Sequence, residues 1–296
     1  MTPSASSERV EVRKTYKLYV GGAFARSESG RTYAVTDAEG RFVANAAKAS
    51  RKDGRDAVVA ARKVQPGWAG RTAYHRGQVL YRVAEVLEGR RAQFVDEVAR
   101  GEGLSGRQAG AVVDAAVDRW VWYAGWTDKI AQVLGAANPV AGPYFNLSTP
   151  EPTGVVAVVA PQESSLLGLV SVLAPVVATG SAVVVLAAQT MPLPAITLSE
   201  VLATSDVPGG VVNVLTGDPA EIAPWLASHR DVDALDLTGV DVAGSGDLAR
   251  DLEAAAADTL TRVRRPEPGA DWTATPGIDR LRWVLETKTV WHPIGV

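Results

Sequence analysis

From Gly154 onward the chain alternates β-branched runs with helix-length apolar segments, and this alternation constrains the fold more than any other feature. Val155–Ala160 is a continuous apolar run, as a strand covered on both faces requires. Ser164–Thr179 has the length and spacing of a helix, Val183–Leu186 reads as a second buried strand, and Ala195–Ala203 as the next helix. Val211–Leu215, ended by Thr216–Gly217, is followed by helical spacing near Ala220–Ser228. Ala234–Leu237, ended by Thr238–Gly239, is followed by Asp247–Ala257. Repeated strand–helix units of this kind predict an α/β fold with a Rossmann-like, doubly wound parallel sheet and right-handed crossovers. Ligands on such sheets sit at the carboxyl ends of the strands, near helix N-termini.

The first half reads differently. Lys17–Phe24 and Arg31–Val35 are extended stretches around a Gly21–Gly22 turn. Asp53 is placed to cap a helix carrying Ala57, Val58, Ala61 and Val64, which should stop before Pro66–Gly67. Helices follow through Val79–Leu87 and Phe94–Val98, and a long one begins at Gly106 and carries Val113, Ala116, Trp120 and Tyr123. Trp120, Trp122, Tyr123 and Trp126 on that helix read as packing aromatics. Ala137–Pro143 is a turn-rich connector and Tyr144–Pro150 a short strand that leaves the body of the domain. At the far end, Arg264–Gly269 reads as a linker, with Arg262, Arg264 and Arg265 on a solvated loop face. Leu281–Trp291 alternates like an exposed strand that needs a partner.

Composition removes several functions. The 296 residues include no cysteine, which excludes disulfides, thiolate metal sites and a thiol nucleophile within them. His75, His229 and His292 have no metal-ligand spacing. A net charge of −3 gives no electrostatic reason to expect nucleic acid or an anionic membrane. The long apolar stretch Ser165–Val185 is broken by Gly168, Pro175 and Gly180–Ser181, and the polar start is no signal peptide, so a cytoplasmic protein is expected.

Taken in order, these segments resemble the aldehyde dehydrogenase superfamily over about Lys17–Val263 and the last dozen residues. Leu18-Tyr19-Val20-Gly21-Gly22 is similar to that family's first hairpin, and Glu151-Pro152-Thr153-Gly154 to the entry of its coenzyme domain. Ala174-Pro175, Gly180, Pro192-Leu193, Gly210–Gly217, His229, Asp231-Val232-Asp233 and Thr238-Gly239 fall in family order. The resemblance implies a division into a disordered start (1–15), an N-terminal and coenzyme-binding domain (16–263), a linker in place of the catalytic domain (264–280) and a C-terminal oligomerisation strand (281–296). Within the domain, 137–150 would form a protruding oligomerisation element.

The departures from the family pattern carry the functional expectation. Pro161-Gln162-Glu163 matches the family's Pro-Trp-Asn, so Glu163 puts a carboxylate where an amide should stabilise an oxyanion. Leu186-Ala187-Ala188-Gln189 matches the Lys-Pro-Ser-Glu segment that holds the coenzyme's ribose, and the ammonium is lost. Leu237-Thr238-Gly239-Val240 matches the Phe-Thr-Gly-Ser turn, and Asp241 would set a carboxylate against coenzyme phosphate. The general-base motif and the catalytic cysteine have no counterpart, whereas Leu285–Trp291 is similar to the family's assembly strand.

The expected protein is therefore a non-catalytic, pseudoenzyme subunit with no catalytic residues and no cofactor. It would form homo-oligomers, or assemble with a full-length aldehyde dehydrogenase paralogue, through residues 144–150 and 284–291 pairing across subunits. Two other readings stand beside it. One is a residual NAD(P)-binding module that holds coenzyme weakly through Thr238, Gly239, Gln189 and Gly217. The other is an enzyme of different chemistry using Glu163, with Gln162, Ser164 and Ser165 nearby; both serines also read as helix caps.

Overall fold

The computed structural model of the chain describes residues 14–240 and 246–295. Its first half runs β1 (Thr15–Tyr16), β2 (Leu18–Val20), β3 (Ala23–Ala25), β4 (Thr32–Thr36) and β5 (Phe42–Ala47), then α1 (Arg51–Ala69), α2 (Ala73–Gly89), α3 (Arg91–Glu102), α4 (Gly106–Trp126) and α5 (Ile130–Leu134). Two strands, β6 (Ala136–Asn138) and β7 (Tyr144–Pro152), lead into the second half. There β8 (Val155–Val159), α6 (Leu167–Thr179), β9 (Ala182–Leu186), α7 (Leu193–Ala203), β10 (Val212–Leu215), α8 (Pro219–Ala227), β11 (Ala234–Asp236) and α9 (Gly246–Ala257) alternate. The chain ends in β12 (Arg262–Arg264), α10 (Asp279–Trp283) and β13 (Leu285–Pro293).

The main sheet has seven strands in the order β12-β11-β8-β9-β10-β2-β3. The first five are parallel, and β2 joins β10 antiparallel. The apolar runs explain this placement. Val156, Val158, Val183 and Val185 face a core built with α2, α4, α6 and α7. Val155, Ala157, Val159, Val184 and Leu186 face the other core, with α1, α8 and α9. Both faces are covered, so neither needs a polar residue. The hairpin β2–β3 turns at Gly21 and Gly22, whose φ values of +61° and +86° suit a two-residue turn of the primed type. A Cβ on Gly22 would stand 2.8 Å from Gly209 Cα, which locks that hairpin to the loop before β10.

Several local expectations are corrected. Ser50, not Asp53, caps α1; Asp53 is the third helical residue and completes a capping box by accepting from the Ser50 backbone N–H at 2.8 Å. Helix α1 also runs through Pro66 to Ala69, because Pro66 lies in its last turn. Phe42–Ala47, not anticipated as a strand, pairs with both β1 and β4. Residues 136–138 of the connector form β6. The segment read as a linker begins in β12, which extends the main sheet beside β11. Of the arginines expected on a solvated loop face, Arg265 is exposed, whereas Arg262 and Arg264 lie in β12 and Arg262 donates to the carbonyls of Trp283 and Leu285 at 2.7 and 3.0 Å.

Leu281 and Trp283 belong to a helix, and the strand that follows is not short of a partner. Strand β13 pairs with β7 of the same chain over nine residues, from Leu285↔Pro152 to Pro293↔Tyr144, and β6 closes the other side of β7. Residues 144–150 thus pair with the C-terminal strand within one chain. What remains for another subunit is the outer edge of β13 and the faces of this three-stranded sheet. Tyr144, Phe145, Leu147, Trp291 and Ile294 are exposed there.

One buried acid sets a pH dependence. Glu97 lies on the buried stripe of α3, and its Oε1 accepts from Thr197 Oγ1, Gln93 Nε2 and Tyr16 Oη at 2.8, 3.2 and 3.3 Å, while Oε2 is buried without a partner. Burial pushes its carboxyl above the ordinary 4.5 despite those donors. A raised folded-state value means the folded protein holds the proton longer than the unfolded chain. The associated stability is full below the unfolded value and fades as pH rises through the folded one. Glu97→Gln should therefore flatten the loss of melting temperature between mildly acidic and mildly alkaline buffer, and an unchanged slope would contradict this assignment.

Candidate functional site

The strand order places β8 at the point where the winding reverses: β9 and β10 lie to one side, β11 and β12 to the other. The crevice of such a sheet opens between the carboxyl ends of β8 and β11. Pro161, Gln162 and Glu163 leave β8 there, and Thr238 and Gly239 leave β11. The structure therefore brings these sequence-derived candidates to one end of the sheet. What occupies it is a segment that sequence reasoning left as a linker.

Residues 265–283 fold back across these strand ends. Trp272 Nε1 donates to Glu163 Oε1 at 2.9 Å. The Glu267 backbone N–H donates to the Thr238 carbonyl at 3.4 Å. Arg280 reaches under the segment, donating to Glu267 at 2.7 Å and to Asp236 and Thr238 at 3.5 Å, with its guanidinium 5.2 Å from the Trp272 ring. Arg119, on the buried stripe of α4, donates to the carbonyls of Trp272 and Ala274 at 2.7 and 3.0 Å and to Ser171 Oγ at 2.7 Å. Burial pushes the Asp236 carboxyl up against the pull of Arg280. A sequence signal for Arg119 existed: a charge at the i+3 position from Ala116 on an apolar face.

The sequence-derived site residues are held as follows. The Gln162 amide donates to the Ala160 carbonyl at 2.7 Å and accepts from the Gln189 backbone N–H at 2.9 Å, so these two candidates meet and tie β8 to β9. The Thr238 hydroxyl and backbone N–H both donate to Asp236 Oδ1. Gly239 is the tightest approach: a Cβ there would lie 1.9 Å from the Ala160 carbonyl oxygen. Gly217 lies apart, at the end of β10 with φ +131° against Lys48 and Ala49. Ser164 Oγ accepts from the Gly168 N–H at 2.9 Å, in the manner of a helix cap, while Ser165 is bonded to Glu102. Asp241 lies outside the described residues. The packing aromatics behave as read, with Trp120 and Tyr123 fully buried.

A parallel sheet wound in both directions from β8, with a hairpin on one edge and a separate three-stranded arm, defines a class of dinucleotide-type α/β domains. Comparison narrows this to a family. The aldehyde dehydrogenase family profile matches residues 24–267, and the chain belongs to that family. It is 30% identical over 254 residues to the aldehyde dehydrogenase candidate DhaS of Bacillus subtilis (strain 168), covering 84% of this chain and 50% of that protein. It is 32% identical over 247 residues to cytosolic 10-formyltetrahydrofolate dehydrogenase of Mus musculus, covering 78% and 26%. Among solved structures, NAD-dependent aldehyde dehydrogenase from Sinorhizobium meliloti superposes with a TM-score of 0.79 at 25% identity, over 89% of this chain and 52% of that one. The NAD+ complex of aldehyde dehydrogenase from Bacillus cereus gives 0.77 at 26% identity, over 84% and 50%. The chain spans about half the length of DhaS and of these solved structures, and about a quarter of the mouse protein. Among the described residues no helix is long and apolar enough to cross a membrane.

Proposed function

We propose that this chain is a non-catalytic subunit of the aldehyde dehydrogenase family that works by assembly, with itself or with a full-length paralogue. The observation that carries this reading is residues 265–283 lying across the carboxyl ends of β8 and β11, with Trp272 bonded to Glu163. Chemistry on this sheet needs that edge open, and here the chain's own backbone and an indole stand on it. The absence of cysteine from the 296 residues supports the reading, because a family thiol nucleophile has no substitute. Glu163, the one candidate for other chemistry, spends a carboxylate oxygen on an indole.

The coenzyme candidates fit a dinucleotide poorly. Thr238 is engaged by Asp236 and Arg280, Gln189 by Gln162, and Gly239 is packed on the backbone of β8. No step is therefore assigned to NAD(P) in this protein.

Assembly is supported by the arm. Hydrogen bonds from β7 saturate one edge of β13, and its other edge is open among the described residues. Phe145 and Leu147 alternate to one face, and the Tyr144 and Trp291 rings meet 5.7 Å apart on the other. An open strand edge beside exposed aromatics is the form of surface that a second sheet covers. Size-exclusion chromatography with light scattering should give a dimer or larger species for the chain alone, or co-migration with a co-expressed full-length aldehyde dehydrogenase. Leu147→Arg should return it to monomer. A monomer at micromolar concentration that also elutes apart from the enzyme would remove the proposal.

A further inference from the structure

The open edge of β13 carries a pattern that specifies its own partner. At one end of the strand the Val284 carbonyl accepts from the Thr153 N–H at 3.2 Å, and at the other the Ile294 N–H donates to the Pro143 carbonyl at 2.7 Å. Bonded residues alternate along an antiparallel ladder, so the even-numbered residues between these ends turn their backbone groups toward β7. Leu285, Thr287, Thr289, Trp291 and Pro293 turn theirs to the open side. One of those groups is already met within the chain: the Leu285 carbonyl accepts from Arg262 Nη1 at 3.0 Å. Pro293, at the opposite end, has no N–H to offer.

Directly opposed residues of antiparallel strands project to the same face, so a two-fold axis relating two copies of β13 must pass through a residue. An axis through Lys288 sets two ammonium groups against each other and leaves His292 and Pro293 unpaired. One through Val290 sets Lys288 against the His292 ring and leaves Leu285 and Glu286 unpaired. Axes through Thr287 or Trp291 leave close to half the strand unpaired. An axis through Thr289 pairs all nine residues. It opposes Thr289 to itself, Thr287 to Trp291 and Glu286 to His292, which are threonine–threonine, β-branched–aromatic and acid–imidazole pairs of the kind that stabilise antiparallel strands. It also sets Leu285 against Pro293, so the one carbonyl that would find no donor is the one Arg262 already serves.

We infer that β13 pairs antiparallel with β13 of a second copy of this chain about a two-fold axis through Thr289, joining two three-stranded arms into one continuous sheet. The outer strands of that sheet are the two copies of β6, three residues each, too short to recruit a third arm, so the assembly closes as a dimer. The face that carries Phe145, Leu147 and Val290 becomes continuous across the axis. The inference rests on the assembly reading above and commits it to self-association in one register.

The chain has no cysteine, so a single introduced thiol reports its own neighbour. In this register the two residue-289 Cα atoms lie about 5.5 Å apart, within disulfide reach, whereas the two residue-287 Cα atoms lie roughly 14 Å apart. Both side chains are exposed, so Thr289→Cys and Thr287→Cys should fold as the wild type does. Light scattering should show a dimer for the wild type. Mild oxidation of the variants, read by non-reducing electrophoresis, should give mostly covalent dimer for Thr289→Cys and about tenfold less for Thr287→Cys, whose thiols are out of reach. A dimeric wild type in which both variants cross-link equally, or neither does, would overturn this register while leaving assembly intact. A monomeric wild type would overturn the register and self-association together.

Discussion

Arg280→Met is expected to cost about 3–5 kcal/mol of folding stability, the range for removing one partner of a buried ion pair. Arg280 and Asp236 are 14% and 4% exposed in their side chains, so the aspartate left behind has little water to turn to. The arginine also joins Glu267 to the end of β11, so its loss should loosen residues 265–283 as a unit. The penalty has a pH signature. The Asp236 carboxyl is already raised by burial, and without the arginine it should rise further, so protonation at low pH relieves the variant. Denaturant unfolding at mildly acidic and mildly alkaline pH should show the larger deficit at the alkaline end. Adding Asp236→Asn should recover part of it, because the orphaned charge is then gone. A small, pH-independent effect would mean that this segment does not depend on the pair.

Gly239→Ala should be comparably severe, at about 3 kcal/mol, near the upper end of the usual cost of overpacking. The added Cβ would meet the Ala160 carbonyl oxygen at 1.9 Å, and backbone on both sides must move to admit it. This variant separates two explanations for the glycine. A glycine kept for cofactor approach would tolerate alanine in the unliganded protein, whereas a glycine kept for the contact of β8 with β11 would not. Thermal unfolding of the variant without any ligand decides between them, and wild-type stability would refute the packing explanation.

The main sheet was legible because both its faces are buried. Val155–Val159 and Ala182–Leu186 have no alternation to misread, Val212–Leu215 is broken only by the buried Asn213, and helices of the expected length separate them. The N-terminal strands were harder. Phe42–Ala47 contains three alanines and an asparagine, and only its pairing with β1 and β4 makes it a strand. Local signals also competed at α1, where Ser50 and Asp53 both suit a cap and the capping box uses each.

The candidate site was half legible. Pro161-Gln162-Glu163 and Thr238-Gly239 could be placed at strand ends by order alone. Their partners could not, because Trp272 lies 109 residues from Glu163 in a stretch whose prolines and glycines suggest no fixed path. Long-range contacts of this kind carry no periodicity. Arg119 was the exception that could have been noticed, as a charge on the stripe that buries Ala116 and Tyr123. The arm showed a different limit. The alternation in Leu281–Trp291 announced a strand in need of a partner, but its first residues are helical and the strand from Leu285 is paired by β7 of the same chain.

The most direct measurement is NADH formation by the purified chain, given NAD+ and a panel of short aliphatic and aromatic aldehydes, with NAD+ binding followed in parallel by calorimetry. An edge covered by residues 265–283 and a sequence without a thiol should yield neither product above the uncatalysed rate nor a saturable heat. Steady NADH production proportional to protein concentration, and lost on Glu163→Gln, would contradict the account at its centre.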